Sequence, residues 1–133
     1  MQAVDHVSIT VRDLEKVLRF YDAVFEVLRL GKVYQRPDAV GYGERNRPDD
    51  DGHSYLSIFQ SQHAGADPRR HWCFRAASAA HVRRFHAAGL ANGGRDAGAP
   101  GLRAAYHPKY FAAFLEDPEG NRIEAVCHHG DDA

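Results

Sequence analysis

Nine histidines in a chain of 133 residues are the first feature that needs a chemical explanation. Two of them, His6 and His71, occupy the same place in two similar stretches, each the second residue of an alternating segment. In Asp5-His6-Val7-Ser8-Ile9-Thr10-Val11 the apolar Val7, Ile9 and Val11 fall on one side, and His6, Ser8 and Thr10 on the other. In His71-Trp72-Cys73-Phe74-Arg75, Trp72 and Phe74 fall opposite His71. A two-residue period is the signature of a strand with one apolar and one polar face. A third residue stands out late in the chain. Glu124 lies within the apolar run Arg122-Ile123-Glu124-Ala125-Val126-Cys127, where an unpaired carboxylate is costly to bury. Two imidazoles facing it remove that cost if a cation sits between them. Two His and one carboxylate leave open positions on a divalent ion, an arrangement that suits Fe(II), Mn(II) or Zn(II). The competing reading makes the histidines remnants of a lost site and pairs Glu124 with Arg75 or Arg103.

The elements that must position these residues follow from the pattern. After the first strand, Asp13 is placed to cap a helix. Leu14, Val17, Leu18, Tyr21 and Val24/Phe25 form its apolar stripe. Strands are predicted at Val27–Leu30 (extending toward Gln35), Val40–Glu44 and Tyr55–Gln60, with the polar loop Arg45–Gly52 before the last. Residues 62–70 read as a linker, and the pattern then restarts. His71–Arg75 is a strand, Ser78 caps a helix running to Ala88, and Gly89 is placed to end it. Asn92–Gly101 reads as a Gly-rich loop. Short strands follow near Arg103–Tyr106, at Tyr110–Leu115 and at Arg122–His128. The last two are joined by the turn chemistry of Glu116-Asp117-Pro118-Glu119-Gly120-Asn121. Residues 5–25 laid over 70–90 share five identities: His6/His71, Val17/Val82, Arg19/Arg84, Phe20/Phe85 and Ala23/Ala88. The order of elements repeats as well. The predicted fold is α+β: two paired βαβββ modules forming a curved mixed sheet with a central cup and helices on the outside. The whole chain, 1–133, is one domain, with module 1 at about 3–61 and module 2 at about 71–128. Neither module is large enough to stand alone comfortably.

Composition narrows the function. Hydrophobic residues make up 44% and charged residues 26%, a globular balance. Lys+Arg is 17 against 18 Asp+Glu, so no basic excess exists to drive binding to nucleic acid. No apolar run approaches the roughly 18 residues of a membrane helix. The start, Met1-Gln2-Ala3-Val4-Asp5-His6, lacks a charged-then-apolar leader. Two cysteines, Cys73 and Cys127, make no disulfide framework and are expected to pack in a reduced, cytoplasmic setting. Of the other histidines, His53 and His63 are expected in loops or at strand ends. His81 and His86 belong to the second helix, and His128-His129 to a frayed tail. Asp49-Asp50-Asp51 lacks the spacing of a calcium loop.

The chain resembles the vicinal oxygen chelate superfamily, which groups glyoxalase I, bleomycin- and fosfomycin-resistance proteins and extradiol dioxygenases. The resemblance is carried by Asp5-His6-Val7-Ser8-Ile9 with the helix through Phe20-Tyr21, and by the ending from Phe114 to Glu124. It spans roughly residues 3–128. It implies one divalent metal ion (Fe, Mn, Zn or Ni) held by His6, His71 and Glu124 in the cup, and a small-molecule substrate bound through two adjacent oxygens. The resemblance also implies a homodimer, with the cup built within one chain or across two. Tyr106, His107 and Tyr110 are the candidate acids or bases. The expected function is a metal-dependent lyase, isomerase or ring-cleaving oxygenase. The alternative is a non-catalytic sequestration protein of the bleomycin-resistance type, in which Tyr34, Tyr42, Tyr55, Trp72, Tyr106 and Tyr110 line a groove. One departure is visible. Glyoxalase I places a fourth ligand on the strand that ends module 1, and alignment through Gly52 and Gly120 sets Leu56 opposite Glu124, beside Ser57. Neither residue supplies a carboxylate.

Overall fold

A computed structural model describes residues 3–131. The chain runs β1 (His6–Val11), α1 (Leu14–Val27), β2 (Lys32–Arg36), β3 (Ala39–Gly43) and β4 (Tyr55–Gln60). The order then repeats as β5 (His71–Arg75), α2 (Ala79–Ala91), β6 (Arg95–Leu102), β7 (Phe111–Glu116) and β8 (Arg122–Cys127). The fold is α+β with a duplicated βαβββ module. The eight strands form two four-stranded sheets, ordered β1-β4-β3-β2 and β5-β8-β7-β6. In each module the opening strand runs parallel to the closing strand, β1 with β4 and β5 with β8, and the remaining pairings are antiparallel.

Alternation decides which face of each sheet is covered. Ile9, Val11, Val40 and Ile58 turn inward on the first sheet, and Leu115, Ile123, Ala125 and Cys127 on the second. These residues, with Phe20, Tyr21, Val24 and Phe25 of α1 and Val82 and Phe85 of α2, make one continuous core. The helices are shared between the modules. Gly89 of α2 lies where a Cβ would run into the Leu115 side chain and come within 3.1 Å of the Phe20 ring. His6 on one sheet, and His71 and Glu124 on the other, belong to the faces turned away from this core.

The predicted hairpin Glu116–Asn121 locks the modules together. Asp117 is fully buried. Its carboxylate accepts from the Tyr21 hydroxyl of α1 at 2.5 Å, from Asn121 Nδ2 at 2.8 Å, and from the backbone N–H groups of Glu119 and Asn121 at 2.8 and 2.9 Å. The Glu119 carboxylate accepts from the backbone N–H of Arg12 and Asp13 at 2.7 and 2.9 Å. A negative group at the start of α1 also suits the helix dipole. Asp13 caps α1 as expected, through Lys16 N, and Ser78 caps α2 through His81 N.

Four predicted boundaries are corrected. The apolar run Val27–Leu30 is not a strand: Val27 ends α1, Leu28 caps it, and Arg29 takes a left-handed φ of 61° before β2 begins at Lys32. Gly89 does not end α2, which continues to Ala91, because the missing side chain is needed for close packing. Asn92–Gly101 is not all loop. Arg95–Leu102 is an edge strand on β7, and a Cβ on its Gly98 would come within 2.9 Å of the Phe114 ring. The strand expected near Arg103–Tyr106 is a turn instead.

Candidate functional site

Glu124 is the centre of the second sheet's outer face. It is 2% exposed. Its strand neighbours are Cys73 on β5 and Phe114 on β7. His71 Nε2 lies 3.2 Å from Oε1, and the Tyr110 hydroxyl donates to Oε2 at 2.5 Å. Both carboxylate oxygens are therefore engaged, which offsets the cost of burying the group. Neither Arg75 nor Arg103 supplies the partner. Arg103 donates to the carbonyls of Ala99 and Gly101 instead. Burial, and then hydrogen bonding to Glu124, raises the Tyr110 hydroxyl well above the ordinary phenol value. The Cys73 thiol is pushed up to about 12, first by burial and then by the Glu124 charge. Cys73 thus belongs to this site rather than to the core, contrary to the sequence expectation; Cys127 does pack inside.

His71, Tyr106, His107, Tyr110, Glu124 and His128 line one open cleft of about 490 Å³. The three candidate acids or bases thus stand over the Glu124–His71 pair. His128 was expected in a frayed tail, yet it belongs here. Its ring stacks on His107 with centroids 5.2 Å apart, and His107 Nε2 lies 2.9 Å from His128 Nδ1. The backbone N–H of Lys109 donates to His107 Nδ1 at 3.0 Å. That bond sets the tautomer of the neutral pair. With Nδ1 accepting, the His107 proton sits on Nε2 and is donated to His128 Nδ1, so His128 carries its own proton on Nε2. Among the described residues that Nε2 has no protein partner.

His6 stands elsewhere. It lies on the outer face of the first sheet, where Nδ1 meets Asp5 Oδ1 at 2.6 Å and the ring stacks on Tyr55 at 5.0 Å and 14°. The His6 contact, and after it the Asn46 amide, hold the Asp5 carboxyl below its ordinary value. Among the described residues no group of three His, Cys, Asp or Glu side chains is arranged to hold a metal within one chain.

The strand registers settle which residue of module 1 matches Glu124. Ser8 pairs with Ser57 in the way that Cys73 pairs with Glu124. The match is therefore Ser57 and not Leu56, which instead faces the core. Ser57 is buried and accepts from the Tyr34 hydroxyl at 2.7 Å, echoing the Tyr110–Glu124 bond. The six aromatics expected in one groove are divided. Tyr42, Tyr55 and Trp72 line an apolar cleft of about 260 Å³, Tyr106 and Tyr110 line the histidine cleft, and Tyr34 covers Ser57.

Comparison with known proteins places this fold in a family. The pattern of the Glyoxalase/Bleomycin resistance protein/Dioxygenase superfamily matches residues 3–125. The chain belongs to that superfamily. A glyoxalase/bleomycin resistance protein from Albidiferax ferrireducens T118 shares 31% identity, with 94% of this chain and 98% of that one covered and a TM-score of 0.78. A lactoylglutathione lyase from Agrobacterium tumefaciens (20% identity, 95% and 93% covered, TM-score 0.64) shares the fold. So does a fosfomycin resistance protein from Mesorhizobium loti (18% identity, 95% and 92% covered, TM-score 0.65). No curated protein matches the sequence. No helix among the described residues is long and apolar enough to cross a membrane.

Proposed function

We propose that this chain is a divalent-metal-dependent enzyme acting on a small molecule through two adjacent oxygens, and that its working form is a cytoplasmic homodimer. The observation that carries the reading is the buried Glu124 carboxylate with His71 Nε2 at 3.2 Å. A carboxylate oxygen and an imidazole nitrogen at that separation fit adjacent positions around one ion. His71 and Glu124 of one chain and His6 of a second copy would hold it. The shared arrangement is supported by the absence, among the described residues, of any group of three such ligands within one chain. When bound, the ion supplies Lewis-acid polarisation of the substrate oxygens.

The residues of the chain do the rest. Tyr110 fixes the Glu124 carboxylate through Oε2, which leaves Oε1 toward His71. His107 has both ring nitrogens engaged, so it acts by fixing His128. The His128 Nε2–H is then the group that holds a proton for a substrate oxygen. Tyr106, 64% exposed with its ring 4.9 Å from that of Tyr110, forms the lip of the cleft. With Ser57 at the position matching Glu124, this chain supplies three ligands and not four.

The apolar cleft lined by Tyr55 and Trp72 is the observation favouring the sequestration reading. Elemental analysis of the purified protein separates the two. The enzyme reading expects about one divalent ion per chain, lost in both His6→Ala and Glu124→Ala. A wild-type protein that binds no divalent ion under saturating iron, zinc, manganese and nickel would remove it.

A further inference from the structure

The outer face of the first sheet carries a feature that metal binding does not use. The Arg45 guanidinium lies over two tyrosine rings at once, 4.8 Å from the Tyr34 centroid and 5.5 Å from the Tyr55 centroid. Tyr55 in turn stacks on His6. A second guanidinium, Arg36, lies 5.0 Å from the Tyr34 centroid. The Tyr34 ring is itself held, because its hydroxyl donates to the buried Ser57. The ring also covers Gly41, where a Cβ would collide with it.

Nothing anionic among the described residues answers these charges. Among the described residues neither Arg36 nor Arg45 has a carboxylate within ion-pair distance. Three of the acidic groups nearby are engaged with other residues. Asp5 is held by His6 and by Asn46 Nδ2 at 2.6 Å, and Glu44 and Asp50 flank His53 at 3.1 and 3.0 Å. Stacking holds the plane of a guanidinium while leaving its N–H edge open. That edge matches the two oxygens of a planar or tetrahedral oxyanion. Less side-chain freedom then remains to be lost when an anion arrives.

We infer that Arg45, lying over the Tyr34 and Tyr55 rings on the His6 face, recognises an oxyanion group, a carboxylate or a phosphonate, on the substrate. The inference rests on the reading of the His6 face as one wall of the site. It adds the substrate class: a small anion whose two adjacent oxygens lie at the His6 end and whose charged group lies on Arg45.

The test uses full-length protein stripped of metal with a chelator. Benzoate, phenylphosphonate and neutral benzamide are titrated while the amide and arginine side-chain N–H resonances are followed. Saturable shifts at Arg45 and its neighbours are expected with the two anions and not with benzamide. The tighter of the two anions assigns the charged group. Arg45→Met should weaken anion binding at least about tenfold. Arg45→Lys, which keeps the charge and loses the fork, should recover only part of it. Because the titrations are made on metal-free protein, failure of the metal reading leaves this result intact. Equal binding of benzamide and benzoate, or undiminished anion binding by Arg45→Met with an unchanged circular dichroism spectrum, would overturn the inference.

Discussion

Replacing Asp117 by alanine should damage the fold severely while leaving every candidate site residue in place. The carboxylate is fully buried and accepts four hydrogen bonds, from the Tyr21 hydroxyl, Asn121 Nδ2 and the backbone N–H groups of Glu119 and Asn121. Tyr21 is fully buried and Asn121 nearly so. Each buried donor left without a partner costs about 1–3 kcal/mol, and the Tyr21 hydroxyl and the Asn121 amide are both left so. The Asp117→Ala protein should therefore lose about 3–5 kcal/mol. For a domain of this size that corresponds to a fall in Tm of roughly 10–20 °C. Urea unfolding followed by circular dichroism reads the loss directly. The bond between α1 and the hairpin can be isolated by adding Tyr21→Phe and the double variant. A coupling of about 1.5–3 kcal/mol is expected, as for a hydrogen bond to a charged acceptor. A loss under about 1 kcal/mol, or a coupling near zero, would refute the assignment of Asp117 as the link between the modules.

Three further outcomes follow from the same geometry. Tyr110→Phe removes the donor to the buried Glu124 Oε2 and should cost about 1.5–3 kcal/mol in urea unfolding; an unchanged midpoint would deny that bond. The hydroxyls of Tyr21, Tyr42 and Tyr110 are all raised by burial first and by neighbouring carboxylates next. The unfolded phenols ionise near pH 10 and the folded ones above it, so the stability is present below about pH 10 and is lost as pH rises beyond that. The slope should approach about 1.4 kcal/mol per pH unit for each phenol, and equal urea midpoints at pH 9 and pH 11 would contradict it. Gly41→Ala places a methyl group against the Tyr34 ring and should cost about 1–3 kcal/mol, with loss of the Tyr34–Ser57 bond visible as a shifted hydroxyl resonance; a neutral change would show that the ring is free to move.

Much of the fold was legible because its signals are local. β4 and β5 have the bounds that alternation predicts, and both N-caps sit where Asp13 and Ser78 suggest. The misread segments are those in which long-range packing overrides local preference. Val27, Leu28 and Leu30 are apolar enough to suggest a strand, but Val24, Phe25 and Leu28 continue the helical stripe into the core. Arg95–Leu102 carries the glycines and proline of a loop, yet its partner β7 supplies the hydrogen bonds and the Phe114 ring makes use of the bare Gly98. Of the candidate site, His71, Glu124, Tyr110, Tyr106 and His107 line one cleft, whereas His6, which the repeat was expected to bring to His71 and Glu124, stands on the other sheet with Asp5 and Tyr55. His128 was missed because nothing in its own neighbourhood marks it. Its place follows from the length of β8 and from a partner 21 residues earlier. The match between Ser57 and Glu124 depends on strand register, which an alignment through loop glycines shifts by one residue.

The central claim is that His6 of one copy meets His71 and Glu124 of another. It is tested most directly by mixing His6→Ala and Glu124→Ala proteins, unfolding and refolding them together, and measuring bound divalent metal against each variant refolded alone. Each variant alone should bind none. The mixture should recover about a quarter of the wild-type content, because half of the dimers are mixed and each mixed dimer has one intact site of its two. A mixture that binds no more than its components, with dimers confirmed by sedimentation, would contradict the shared site.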